Sequence, residues 1–132
     1  MAGPTPRSAV LPAVAARLGV VLVGVYVGLL GAVVHRLRSD AGPVVVPWGL
    51  VLGLAAAVLL AWSAARLVRA GAGWFAIGWT SVLLLQNLGG DGSYLVGSDG
   101  WGWAFMGIGL TALVLVVILG PGRHRRPPRV GA

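Results

Sequence analysis

Of 132 residues, 58% are hydrophobic and 10% are charged, and the formal net charge is +7. A soluble domain of ordinary composition carries about 25% charged residues to face water. Ten arginines and three aspartates, with neither Lys nor Glu, cannot cover a globule in water. The hydrophobicity also excludes a disordered chain, and the lack of cysteine excludes disulfide frameworks, thiolate metal centres and thiol nucleophiles. The length allows one domain. A lipid bilayer is therefore the expected solvent, and no nucleic-acid partner is expected, because such a reader clusters basic and aromatic residues on a water-exposed face.

In chain order, residues 1–12 read as a cytoplasmic N-terminal tail, 13–120 as a membrane domain and 121–132 as a basic cytoplasmic tail. Uncharged runs at 18–34, 44–65, 70–88 and 101–119 set four spans at about 13–35, 44–66, 70–88 and 101–119. About 20 residues rising 1.5 Å each cross a hydrocarbon core of ~30 Å. The expected fold is all-α, a four-helix transmembrane antiparallel bundle. The third span is the most polar, through Thr80, Ser81, Gln86 and Asn87. The first run is longer than a signal-peptide core and no small-x-small cleavage site follows it, so it reads as a retained helix. Residues 36–43 read as a polar turn, with Pro43 and Pro47 suited to the start of the second helix. The connection at 89–100, rich in glycine with Asp91 and Asp99, reads as turns.

The arginines set the orientation. With four spans, both tails and the second loop share one side and hold Arg7, Arg17, Arg66, Arg69, Arg123, Arg125, Arg126 and Arg129, against Arg36 and Arg38 opposite. The positive-inside rule then puts both termini in the cytoplasm of a multi-pass cell-membrane protein. Trp48, Trp74, Trp101 and Trp103 fall at the starts of spans, at the depth where indoles prefer to lie.

Two small-residue ladders stand out: Gly24, Gly28 and Ala32 in the first span, and Gly49, Gly53, Ala57, Ala61 and Ala65 in the second. Small residues every four positions let helix backbones approach closely in lipid. Contact within the bundle is the plainer use, because short loops already force neighbouring helices together, and a partner helix is the alternative; with 22 glycines in the chain such ladders also arise readily. Arg123, Arg125, Arg126 and Arg129 form a juxtamembrane basic segment suited to anionic lipid headgroups or an acidic partner. No carboxylate falls inside a span, which argues against proton-coupled transport. The Asp91, Ser93, Tyr94, Ser98 and Asp99 cluster matches neither a calcium loop nor a nucleophile elbow. No catalytic residue, metal ligand or cofactor is expected.

The segments Arg69-Ala70-Gly71-Ala72-Gly73-Trp74 and Gly89-Gly90-Asp91-Gly92-Ser93-Tyr94-Leu95-Val96-Gly97 resemble a family of small four-span actinobacterial membrane proteins of unknown function. The similarity runs over roughly residues 15–120. It implies the four-span plan and the cell membrane of a high-GC Gram-positive bacterium, and carries no activity or site residue.

The leading functional reading is a non-enzymatic accessory or subunit protein, packing against lipid and another membrane protein or a second copy of itself. The alternative is a small pore or carrier for a neutral or anionic solute, lined by Thr80, Ser81, Gln86 and Asn87; a membrane enzyme ranks third. The arginine distribution makes a direct prediction. A reporter fused after Arg129 reads cytoplasmic and one inserted at Ser98 reads external, whereas a cytoplasmic signal at Ser98 means that the third run does not span.

Overall fold

The structure is a computed structural model that describes residues 6–88, 99–121 and 131. Four helices pack as a bundle: α1 (Pro6–Val34), α2 (Trp48–Leu67), α3 (Gly71–Leu88) and α4 (Gly100–Leu119). Between α1 and α2 lies a hairpin of two three-residue strands, β1 (Ser39–Ala41) and β2 (Val44–Val46). Three of the helices, α1 over Arg7–Val34, α2 and α4, are long and apolar enough to cross a membrane. The polar side chains of α3 leave it outside that group, so the expected set of four apolar spans is seen in part.

The boundaries depart from the sequence reading in two places. Helix α1 begins at Pro6 and runs through Pro12. A proline at the first position lacks only an N–H that would have no intrahelical acceptor there, whereas Pro12 removes one bond of the ladder. The apolar run from Val44 is divided: Val44–Val46 is a strand and the second helix starts at Trp48. Three β-branched residues in a row favour a pleated chain over a helix. The strands pair antiparallel, with Ser39 opposite Val46 and Ala41 opposite Val44. Gly42, at φ +68°, takes the first central position of the two-residue turn, where a primed hairpin turn needs a positive φ. What read as a polar turn is thus an ordered hairpin.

Nearest packing is between α1 and α3, the most extensive helix pair of the bundle. A Cβ on Gly24 would run into the Phe75 carbonyl oxygen and the Trp79 nitrogen, and one on Gly78 into the Val21 carbonyl. The two backbones touch at reciprocal glycines, as small residues allow. The start of α2 lies on the end of α1 in the same way: a Cβ on Gly49 would strike the Val34 carbonyl oxygen, and the Gly49 N–H donates to the Leu37 carbonyl at 3.1 Å. Aromatic side chains fill the space thus framed. Phe105 of α4 lies against Gly31, where an added Cβ would stand 2.9 Å from its ring, and Trp79 packs on Gly109. Phe75, Trp79, Phe105 and Ala61 have no exposed surface, and Ala32, Ala57 and Leu113 keep only 1% each.

The short link from α2 to α3 is made by Val68, Arg69 and Ala70. The Val68 N–H caps α2 by donating to Ala64, and the Gly71 N–H donates to Val68, both at 2.9 Å. Ala70 adopts a left-handed φ of +58°, a conformation that costs a residue with a Cβ more than it costs glycine.

Within the second ladder the tight point is Gly49. A Cβ on Gly53 would make ordinary contacts of 3.5 Å with Gly31 and Phe105. Gly49→Ala is therefore expected to destabilise the bundle by ~1–3 kcal/mol through overpacking. Gly53→Ala should be neutral or stabilising by up to ~1 kcal/mol, because it improves helix propensity without a clash. Leu52→Ile, at an exposed position, should change little. Thermal aggregation of the three variants and the parent in detergent checks the ranking, and equal loss in all three would remove the close approach at Gly49 as its cause.

Candidate functional site

The ladder residues all turn toward the interior. Gly24, Gly28 and Ala32 of α1 are buried, as are Gly49, Ala57 and Ala61 of α2, while Gly53 is half-buried. Gly24 and Gly28 serve α3: a Cβ on Gly28 would stand 3.2 Å from the Trp79 carbonyl oxygen and from Val82. Gly49 serves α1, and Gly53 serves α1 and α4. Three further glycines at close approaches, Gly31, Gly78 and Gly109, escaped the sequence reading because none belongs to a fourfold ladder. Arg123, Arg125, Arg126 and Arg129 lie outside the described residues, as do Asp91, Ser93, Tyr94 and Ser98.

Of the four polar side chains suggested as a pore lining, Ser81 and Asn87 are tied to their own helix. Ser81 Oγ donates to the Gly78 carbonyl at 2.7 Å, and Asn87 Nδ2 donates to the Leu83 carbonyl at 2.7 Å. On the other helices Ser63 and Thr111 do the same to Leu59 and Gly107, both at 2.8 Å. Each spends its donor on the preceding turn of its own helix, a common use for short polar side chains where few other partners exist. Gln86 is the exception: both ends of its amide are buried without a hydrogen-bond partner.

Two further buried groups share that condition. His35, just past the end of α1, keeps 1% of its surface, and neither ring nitrogen has a partner. Its ring stacks on Phe105 with centroids 5.2 Å apart and planes 25° from parallel. Phe105 in turn meets Trp79 at 5.6 Å, and the Trp79 Nε1 is also unpartnered. His35, Phe105 and Trp79 thus form a chain of three rings from α1 through α4 to α3. An unpaired buried polar group costs roughly 1–3 kcal/mol, so each is a standing demand for a hydrogen bond. In sequence His35 reads as an end-of-helix residue, and Trp79 is the one tryptophan in mid-helix; only the packing buries them. Among the described residues no three His, Asp, Glu or Cys side chains come together as a metal site would require.

The opposite ends of the bundle carry the charge. Asp99 caps α4: its Oδ1 accepts from the Gly102 N–H at 3.0 Å. Its Oδ2 lies 3.5 Å from Arg38 Nη2. The Arg38 guanidinium also lies over the Trp101 ring, 5.1 Å from the centroid. Asp99 was read as a turn residue; it is a helix cap and ties the hairpin side of the bundle to α4. The signal was available, since Asp directly before a helix is a preferred N-cap. This pairing also accounts for one of the two arginines on the side expected to be poor in them. At the other end, Arg17 lies over Trp74, 5.7 Å from the ring centroid, joining α1 to the first turn of α3.

Comparison with family models, with curated proteins and with solved structures finds no match.

The Gly102 N–H holds the Asp99 carboxyl below its ordinary value of 3.8; partial desolvation opposes this, and Arg38 and then Arg36 add to the lowering. A carboxyl whose folded value is depressed contributes stability that is complete above its unfolded value and is lost as pH falls through the folded one. The thermal midpoint in detergent should therefore decline as pH drops from about 5 towards 2. Asp99→Asn should flatten that decline, with the two proteins converging at the acid end. Arg38→Gln should flatten it less, because the backbone donor contributes most. An unchanged pH profile in Asp99→Asn would remove the cap from the account.

Proposed function

We propose that the chain is a small multi-pass protein of the cell membrane, an antiparallel four-span bundle with both termini in the cytoplasm, acting as a non-enzymatic accessory or subunit protein. The observation that carries the membrane reading is the outer surface. Leu22 and Leu59 are each 67% exposed, Leu85 69% and Leu119 68%, one on each helix. Soluble monomers rarely expose apolar patches of more than a few hundred Å², and here bare leucines, valines and isoleucines occupy every helix. Lipid is the solvent that suits them.

Helix α3 fits this plan although it is less apolar. It carries seven buried residues, against five each on α2 and α4. A helix that shows little of itself to lipid needs less apolarity, and Ser81 and Asn87 are hydrogen-bonded to its own backbone. The alternating direction is supported by the contacts of Gly49 with Val34 and of Gly53 with Gly31, which run α2 back along α1. The contact of Gly71 with Ala64 turns α3 back along α2. Orientation rests on the arginine count of the sequence, eight in the two tails, the start of the first span and the second loop against two in the first loop.

A partner is suggested by the length of α1. Its 29 residues make a helix of about 44 Å, against about 27–30 Å for the others. All residues from 7 to 16 are exposed, including Val10, Leu11 and Val14, and buried positions recur only further along. This projecting stretch is the face offered to a membrane partner. A pore or carrier for a neutral or anionic solute is the second reading, favoured by the unpartnered amide of Gln86.

Retention of the full-length chain in membranes through an alkaline carbonate wash tests its integral character, and release would overturn it. Purification in mild detergent followed by mass spectrometry should then show a stoichiometric membrane partner. Leu11→Glu should abolish that association with the bundle's thermal midpoint unchanged. A partner-free chain that conducts solute in liposomes, with flux lost in Gln86→Leu, would favour the carrier instead.

A further inference from the structure

A cavity of about 260 Å³ opens where the end of α2, the start of α3 and the end of α4 meet. Its floor is apolar, made by Ala65, Val116 and Val117. Its rim is the α2–α3 link, with Arg69, Ala70 and the first turn of α3. We infer that this cavity is a binding site for the phosphodiester headgroup of an anionic phospholipid of the inner leaflet, with Arg69 as its cationic contact. The inference rests on the membrane reading above.

Three features fit this ligand. The first is uncompensated charge. Arg69 is exposed, lines the cavity and has no ion-pair partner among the described residues, where the one carboxylate-arginine pair is Arg38 with Asp99. Arg66, also exposed, stands three residues earlier in the last turn of α2. The second is the donor set beside that charge. A helix start leaves its first N–H groups without intrahelical acceptors. The Gly71 N–H goes to Val68 and the Trp74 N–H to Ala70, while Ala72 and Gly73, between them, also line the cavity. Oxygen atoms of a phosphodiester suit both the guanidinium and the backbone N–H groups. The third is size and surroundings. Sites that enclose a whole small molecule run from about 300 Å³ upward, so 260 Å³ suits a headgroup fragment whose remainder lies outside. Outside lie exposed apolar side chains, Leu67 at 84%, Leu119 at 68% and Ile118 at 49%, along which acyl chains can continue. A free phosphate would use the rim and leave the apolar floor and flank idle, which favours the lipid as source.

Gly73 supplies a steric probe. A Cβ there meets nothing within 4 Å, so a side chain at this position enters the open space without disturbing the packed helices. Native mass spectrometry of the full-length chain, carbonate-washed and then held in mild detergent, measures binding of dioleoylphosphatidylglycerol, dioleoylphosphatidylcholine and inorganic phosphate. The parent should retain one phosphatidylglycerol more tightly than phosphatidylcholine, whose choline the two arginines repel. Arg69→Gln should weaken the first phosphatidylglycerol by about fivefold, the worth of one arginine near an anionic leaflet, and Arg69→Lys should restore most of it. Gly73→Leu should weaken it at least as much, whereas Arg36→Gln at the far end should leave it unchanged. Parental binding in both Arg69→Gln and Gly73→Leu, each folded by its thermal midpoint, overturns the site. Competition by millimolar inorganic phosphate overturns the lipid assignment. Release from the membrane in the carbonate wash instead overturns the membrane reading on which the site rests, so the failures are distinct.

Discussion

The contact on which the bundle depends is the backbone approach of α1 and α3. With Gly24 set against the Phe75–Trp79 turn and Gly78 against the Val21–Val25 turn, neither helix can rotate without driving a side chain into a carbonyl. That single registration turns Phe75, Trp79, Val82 and Leu83 inward and leaves Ile77, Leu84 and Leu85 outside. Trp79 then reaches across to α4, which must offer Gly109, and Phe105 closes the layer over Gly31 and Gly53. In lipid no hydrophobic driving force brings helices together, so close packing of this kind has to supply the attraction. Two helices not adjacent in the chain thus set the faces of the other two.

Much of this was legible in the residues. Uninterrupted apolar runs marked all four helices, and the ladder through Gly24, Gly28 and Ala32 named the face of α1 that turns inward. The rest is tertiary. Gly78 and Gly109 carry no pattern of their own; their purpose appears only when Val21 and the Trp79 ring are set against them. The strand at Val44–Val46 hid inside an apolar run because hydropathy does not separate a valine strand from a valine helix, although the Gly42-Pro43 pair and three successive valines signalled it. Asp99 hid among loop residues for a similar reason: its partners, Gly102 and Arg38, lie one helical turn ahead and some sixty residues behind. His35 is the clearest case. A polar residue beside Arg36 reads as interfacial, yet Phe105 and the start of α2 close over that end of α1.

The molecule handles its polarity in two ways. Ser63, Ser81, Asn87 and Thr111 donate to carbonyls of their own helices, so those donors are spent within the helix that carries them. His35, Trp79 and Gln86 instead bury polar side-chain atoms that stay unpaired. Charge is kept to the two ends, where Arg38 meets Asp99 and Trp101, and Arg17 meets Trp74. This segregation agrees with a protein that presents lipid with a uniform side wall and does its recognising at its ends.

The hairpin between α1 and α2 has a consequence for vertical position. A two-stranded sheet pairs one edge of each strand and leaves the other edge with bare N–H and C=O groups, which hydrocarbon does not tolerate. In a bilayer Ser39–Val46 must therefore stay in the aqueous or headgroup layer. It is tied to the core by short tethers: four residues separate Val34 from Ser39, and Pro47 alone separates Val46 from α2. The tops of α1 and α2 cannot sink further than those tethers permit, nor can the rest of the bundle, locked to α1 through α3. In a bilayer a hairpin of eight residues would thus work as a float, fixing the draught at which the bundle rides.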